Sequence, residues 1–211
     1  PEQVEITTKD DWAQYLVSET QQLQPKVYNI MADMELFNDY TFEEFSGTIN
    51  GNHHKVAIQQ SMFTALKGAV IQDIVVTQNV ATTFAESASE SATFTNVEVV
   101  RNEEYKVDGD TNPLETGFFV SKAQDATLTF TNCSYKGSST VSIHTHPQLV
   151  FGVFAGVVTS CSVVVDNCTS QLRLFSDIQD VVAGGFFGKM DKVTALTMKQ
   201  SSFEGSISVS T

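Results

Sequence analysis

The chain has 211 residues, 41% of them apolar, and a formal charge of −13 from 25 acids and 12 bases, which suits one domain or a solenoid of several rungs. Its only arginines are Arg101 and Arg173, so phosphate backbones are repelled rather than gathered and nucleic acid is not an expected partner. The longest apolar run, Leu149 to Val158, contains two glycines; it falls short of the roughly 20 residues that cross a bilayer and reads as strand, so membrane insertion is not expected.

The sequence opens at Pro1 without an initiator Met, which points to a removed leader or to an excised portion of a longer protein. From Thr8 to Leu23 the apolar positions Trp12, Ala13, Leu16, Val17, Thr20 and Leu23 form one helical stripe. Thr8 and Asp11 have capping-box spacing and Pro25 stops the run. Residues 1–25 are therefore expected to be an N-terminal capping segment, laid over the unpaired backbone of a first β layer. Residues 26–211 are expected to form one β domain. Lys26–Met31, Thr48–Ile49, Val56–Ile58, Val70–Thr77, Thr93–Val100, Thr127–Tyr135, Val141–His144, Ser162–Val165, Ala195–Met198 and Ser206–Ser210 all read as strands. No second helical pattern separates them, which disfavours a βαβ sheet.

An internal repeat selects among the all-β architectures. Phe119, Phe154 and Phe187 each precede a side-chain amide by thirteen positions, at Asn132, Asn167 and Gln200. Traced backwards through Asn96, Asp73 and Asn50, the amide position recurs in steps of 23, 23, 36, 35 and 33 residues. A 23-residue rung holds about three strands of four to five residues plus corners, a triangular turn of parallel strands. The longer steps read as rungs carrying an inserted loop, most clearly Arg101 to Thr116. A sandwich would instead need hairpin turns every 8–12 residues or so. Fifteen Phe against one Trp and five Tyr fit a column of like rings on successive rungs. The expected fold is an all-β, right-handed parallel β-helix with an N-terminal capping α-helix.

The stretch FSGTINGNHHKV from Phe45 to Val56, with the later words GVFAG and GGFFG and the NC pairs, resembles the right-handed parallel β-helices with GLUG-type repeats found in secreted and cell-surface proteins. The resemblance covers roughly Tyr28 to Ser206. It implies inward ladders of Phe, Val and Ile, asparagines stacked at corners, and a role in adhesion or in large surface assemblies. Gln200 and Asp73 depart from that corner pattern.

Candidate sites are few. Asp108, Asp110 and Asn112 have the one-three-five spacing of an oxygen-ligand calcium loop, but Pro113 stands where a turning Gly is required and Phe119 where the closing Glu belongs. His144 and His146 flank Thr145 on an expected strand, which places both imidazoles on one face about 7 Å apart. His53 and His54 follow a turn and point to opposite sides. Asp166, Asp177 and Asp180 are the carboxylates nearest to a glycosidase pair. Asn132 and Asn167 each open an N-glycosylation sequon, which an inward-turned corner would block. Cys133, Cys161 and Cys168 allow one disulfide at most; Cys133 and Cys168 fall on neighbouring rungs, where buried free thiols are expected.

No cofactor and no catalytic set is implied. The expected role is a non-catalytic, secreted or cell-surface adhesion or structural module that binds glycan or protein through its faces and loops. A polysaccharide-degrading enzyme on the same scaffold and a filament-forming or cytoskeletal protein are the alternatives. Self-association is expected, if anywhere, at the last run, Gly205 to Thr211.

Overall fold

The computed structural model describes residues 1–17, 25–37, 40–109 and 111–210. The chain is almost entirely β, and every recorded strand pair is parallel. The chain returns to the same place again and again, so strands far apart in sequence stack into columns. The result is solenoid-like.

The first column is eight strands deep. It begins with Gln3–Ile6, Val27–Ile30 and Thr48–Asn50, runs through the middle of Phe63–Gln78 and of Ala85–Arg101, and continues with the end of Val120–Thr131, Ser162–Asp166 and Ala195–Lys199. Its inward row is Val4, Tyr28, Ile49, Ile71, Phe94, Phe130, Val165 and Met198 in register. All but the two end members are fully buried. Alternation along each strand sends these side chains to the core and their neighbours outward.

A second column holds Met34–Leu36, Lys55–Ile58, Ser134–Gly137, Thr169–Ser176 and Ser202–Val209. A third holds Phe42–Phe45, Ala155–Thr159 and Phe187–Asp191 around the starts of the longer strands. A ring column runs along the third. Phe84 and Phe119 have centroids 5.5 Å apart, Phe119 and Phe154 4.6 Å, and Phe154 and Phe186 5.1 Å. Phe186, not Phe187, is thus the ring above Phe154: Phe187 pairs with Ala155 one position on, and the extra residue is taken up in the corner between Asp191 and Ala195.

The longer steps are not loops on a constant rung. Tyr105–Asp108 stacks with Val141–His144 and then with Leu174 to Ser176, while Leu114–Gly117, Leu149–Gly152 and Val181–Gly184 form a separate three-stranded sheet. The coil widens from three strands per rung to five after Arg101, and the expected insertion from Arg101 to Thr116 supplies the first two added strands. Four-residue runs such as YKVD and LETG are too short to read as strands alone, and each gains its partners only from the rungs above.

At the N-terminus the capping box forms as its sequence signature implies. Thr8 Oγ1 accepts from Asp11 N at 3.2 Å, and Asp11 Oδ2 accepts from Thr8 N at 3.1 Å. Over the described residues the helical segment is one α turn, Lys9–Trp12, followed by a π turn, Ala13–Val17. Thr20 and Leu23 lie outside the described residues. Trp12 and Leu16 are fully buried, and Trp12 Nε1 donates to Tyr40 O at 2.8 Å. The first 25 residues also contribute a strand, Gln3–Ile6. No helix among the described residues is long and apolar enough to cross a membrane.

Candidate functional site

Two left-handed corners shape the outer surface. Asp73, Asn96, Asn132, Asn167 and Gln200 have φ between 50° and 54°, each at the end of the first column. Asn and Asp tolerate that conformation because their short polar side chains bond locally. Asn96 Nδ2 donates to Asp73 Oδ1 at 2.9 Å and Asn167 Nδ2 to Asn132 Oδ1 at 2.7 Å. The amide of Asn50 is displaced by one position. It pairs with Gln72, and its Nδ2 donates to Asn29 Oδ1 at 3.1 Å. A second left-handed corner, Gly68, Glu90, Asp125, Ser160 and Lys192, escapes sequence reading because its occupants share no residue type: Gly and Asp are usual there, whereas Glu, Ser and Lys are not.

The corner amides face solvent. Asn132 and Asn167 are exposed, so the expectation that an inward turn blocks their sequons is corrected. Side chains at a left-handed corner project away from the coil, and burial there begins one residue later. Cys133 and Cys168 occupy that next position; they and Cys161 are free and buried. The sulfur of Cys168 and burial push the Cys133 thiol up, and burial does the same to Cys161.

Beside the corner runs the outward row of the first column: Glu5, Asn29, Asn50, Gln72, Thr95, Thr131, Asp166 and Lys199 in register. Every member is polar, and none is buried. At about 4.8 Å between strands the row extends about 34 Å. A cleft of about 250 Å³, lined by His53, Asp73, Asn96, Glu98, Asn132 and Ser134, lies on the other side of the corner, against the start of the second column. His54 turns the other way: its Nδ1 is 3.1 Å from Asp33 Oδ1. The backbone N–H of Lys55, and then His54, hold the Asp33 carboxyl below the usual carboxylate range.

The widened part gathers most of the remaining sequence candidates at one corner. Asp108 and His144 are register partners, and His144 Nδ1 is 3.0 Å from Asp177 Oδ1 on the next rung. The two imidazoles do not share a strand face. Thr145 has φ 61°, which ends the strand at His144 and turns His146 back so that its Nδ1 lies 2.8 Å from Asn112 O. Asp110 lies outside the described residues. Asp108 contacts Lys106 at 3.7 Å. Among the described residues no three His, Cys, Asp or Glu side chains are placed to hold a metal ion. Asp180 accepts from Gln148 Nε2 at 3.2 Å, and Asp166 sits in the polar row.

Comparison with family models, with curated proteins and with solved structures found no match to this chain.

Proposed function

We propose that the chain winds as a right-handed parallel β-helix, with the helical segment at Lys9–Val17 covering part of its first rung, and acts as a non-catalytic binding module. Its ligand is a glycan or a protein surface, and its setting is secreted or cell-surface, as the likeness to GLUG-type repeats implies. The observation that carries this reading is the unbroken outward row from Glu5 to Lys199, with a cleft across the adjoining corner. A rigid stripe offering a hydrogen-bonding side chain about every 4.8 Å suits a repetitive partner and loses little entropy when bound. The net charge of −13 favours neutral over anionic polymers.

The test is retention on a panel of immobilised neutral polysaccharides and surface proteins. The variant Gln72→Leu/Thr95→Val/Thr131→Val keeps volume and removes the polar tips. Loss of retention with unchanged circular dichroism supports the reading; unchanged retention, or none by the parent chain, overturns it. A second reading rests on the His144–Asp177 contact at 3.0 Å: a polysaccharide-degrading enzyme in which the imidazole and carboxylate exchange protons with substrate. Turnover abolished by Asp177→Ala would put that reading first.

A further inference from the structure

Where the coil widens, one inward column carries polar groups instead of apolar ones. Thr77 and Val100 are register partners, which stacks Gln78 beneath Arg101, and Arg101 in turn pairs with Gly137 on the rung above. Arg101 is fully buried, and no carboxylate pairs with it among the described residues. Glu103 accepts from Asn79 Nδ2 at 3.3 Å, and Asn79 Oδ1 in turn accepts from Arg101 Nη1, so this acid is linked to the guanidinium through an amide. Buried charges are ordinarily paired, because an uncompensated ion in a low-dielectric interior is costly.

Part of the guanidinium is satisfied. Nη2 donates to Val80 O at 2.6 Å and to Gln78 Oε1 at 3.2 Å, and Nη1 donates to Asn79 Oδ1 at 3.4 Å. Its Cζ lies 4.3 Å from the Tyr105 ring centroid and 4.8 Å from that of Phe118. The remaining groups share one chemistry. Arg101 Nε, Gln78 Nε2 and Tyr135 Oη are buried without a hydrogen-bond partner. The first two can only donate, and the phenol retains a proton to give. Tyr135 Oη lies 2.8 Å from where a Cβ on Gly137 would stand, so the hydroxyl occupies the inward position directly above Arg101. Burial lowers the pKa of Arg101 and raises that of Tyr135, and the contact between the two side chains opposes that in each; the contact is too poorly aligned to satisfy Nε or Oη fully.

A surplus of donors around a positive charge, sealed from water, lacks an acceptor that carries negative charge. We propose that the Gln78–Arg101–Tyr135 column holds a buried monovalent anion, chloride in ordinary salt. The ion would neutralise the guanidinium at the step from three strands per rung to five, which makes folding of the wide part dependent on halide. This inference does not depend on the binding role proposed above.

The probe is bromide. Crystals of the full chain grown in sodium bromide should give an anomalous difference peak within hydrogen-bonding reach of Arg101 Nε and Tyr135 Oη. In solution the melting temperature should rise with chloride or bromide concentration and then level off, at ionic strength held constant with gluconate. Tyr135→Phe keeps the ring and removes one donor, so the halide dependence should shift to at least about tenfold higher concentration. Arg101→Gln is the stronger change and can abolish folding, which is why the tyrosine variant and the parent carry the test. The crystal decides: a peak beside Arg101 that Tyr135→Phe weakens supports the site, while water density there without anomalous signal overturns it, whatever the melting curves do.

Discussion

Phe154 is the residue whose truncation reads the packing most directly. It is fully buried, with ring centroids at 4.6 Å to Phe119, 5.0 Å to Phe130 and 5.1 Å to Phe186. Phe154→Ala should cost about 3–5 kcal/mol in denaturant unfolding, because the rungs on either side cannot collapse into the void. Lys106→Ala should leave the midpoint unchanged, since its contact with Asp108 is between exposed groups and contributes little. Asn167→Asp should destabilise: the change removes the donor to Asn132 Oδ1 and places a second carboxylate beside Asp166. Cys133, Cys161 and Cys168 should resist iodoacetamide in the native protein and all react in denaturant, as intact mass would record. Rapid native labelling would contradict their burial.

Individual strands and corners differ in how openly the sequence declares them. Runs such as Val70–Thr77 and Thr127–Tyr135 were readable because β-branched and aromatic residues recur within them and because Asp73 and Asn132 inside them mark a left-handed corner. The opposite corner was silent: Glu90, Asp125, Ser160 and Lys192 adopt φ of 51–60°, and of these only Asp125 is a preferred occupant. The stacked rungs impose that conformation, at a cost of roughly 1–2 kcal/mol per residue that the flanking pairs offset. The added strands were hidden for a similar reason, since LETG and VVAG gain strand geometry only by lying against LVFG. The candidate corner at His144 was half legible: the types were visible in sequence, but the left-handed Thr145 that separates the two imidazoles was not.

One element gives a pH signature. Asp33 bonds the Lys55 N–H across a corner, at 2.9 Å, and its carboxyl is held below the ordinary range. A depressed carboxylate contributes stability above its unfolded pKa of about 3.9 and loses it as pH falls through the lower folded value. The melting temperature of the parent should therefore fall more steeply below about pH 4 than that of Asp33→Asn. Parallel curves would show that this contact contributes nothing, in keeping with its exposure to solvent screening.

For the molecule as a whole, the stacking of rungs joins the polar row, the ring column and the widened part into one construction with a continuous core. The overall period was visible in the amide spacing, whereas the change from three strands to five was not, because a step of 36 residues accommodates a loop as readily as two short strands. Side-chain amide and backbone nuclear Overhauser effects across the first column test that stacking most directly. Parallel rungs in register place Asn132 beside Asn167, and Thr131 between Thr95 and Asp166. Cross-peaks linking those residues, separated by about 35 positions, are the expected result. Cross-peaks typical of antiparallel hairpins, joining strands adjacent in sequence, would contradict the account.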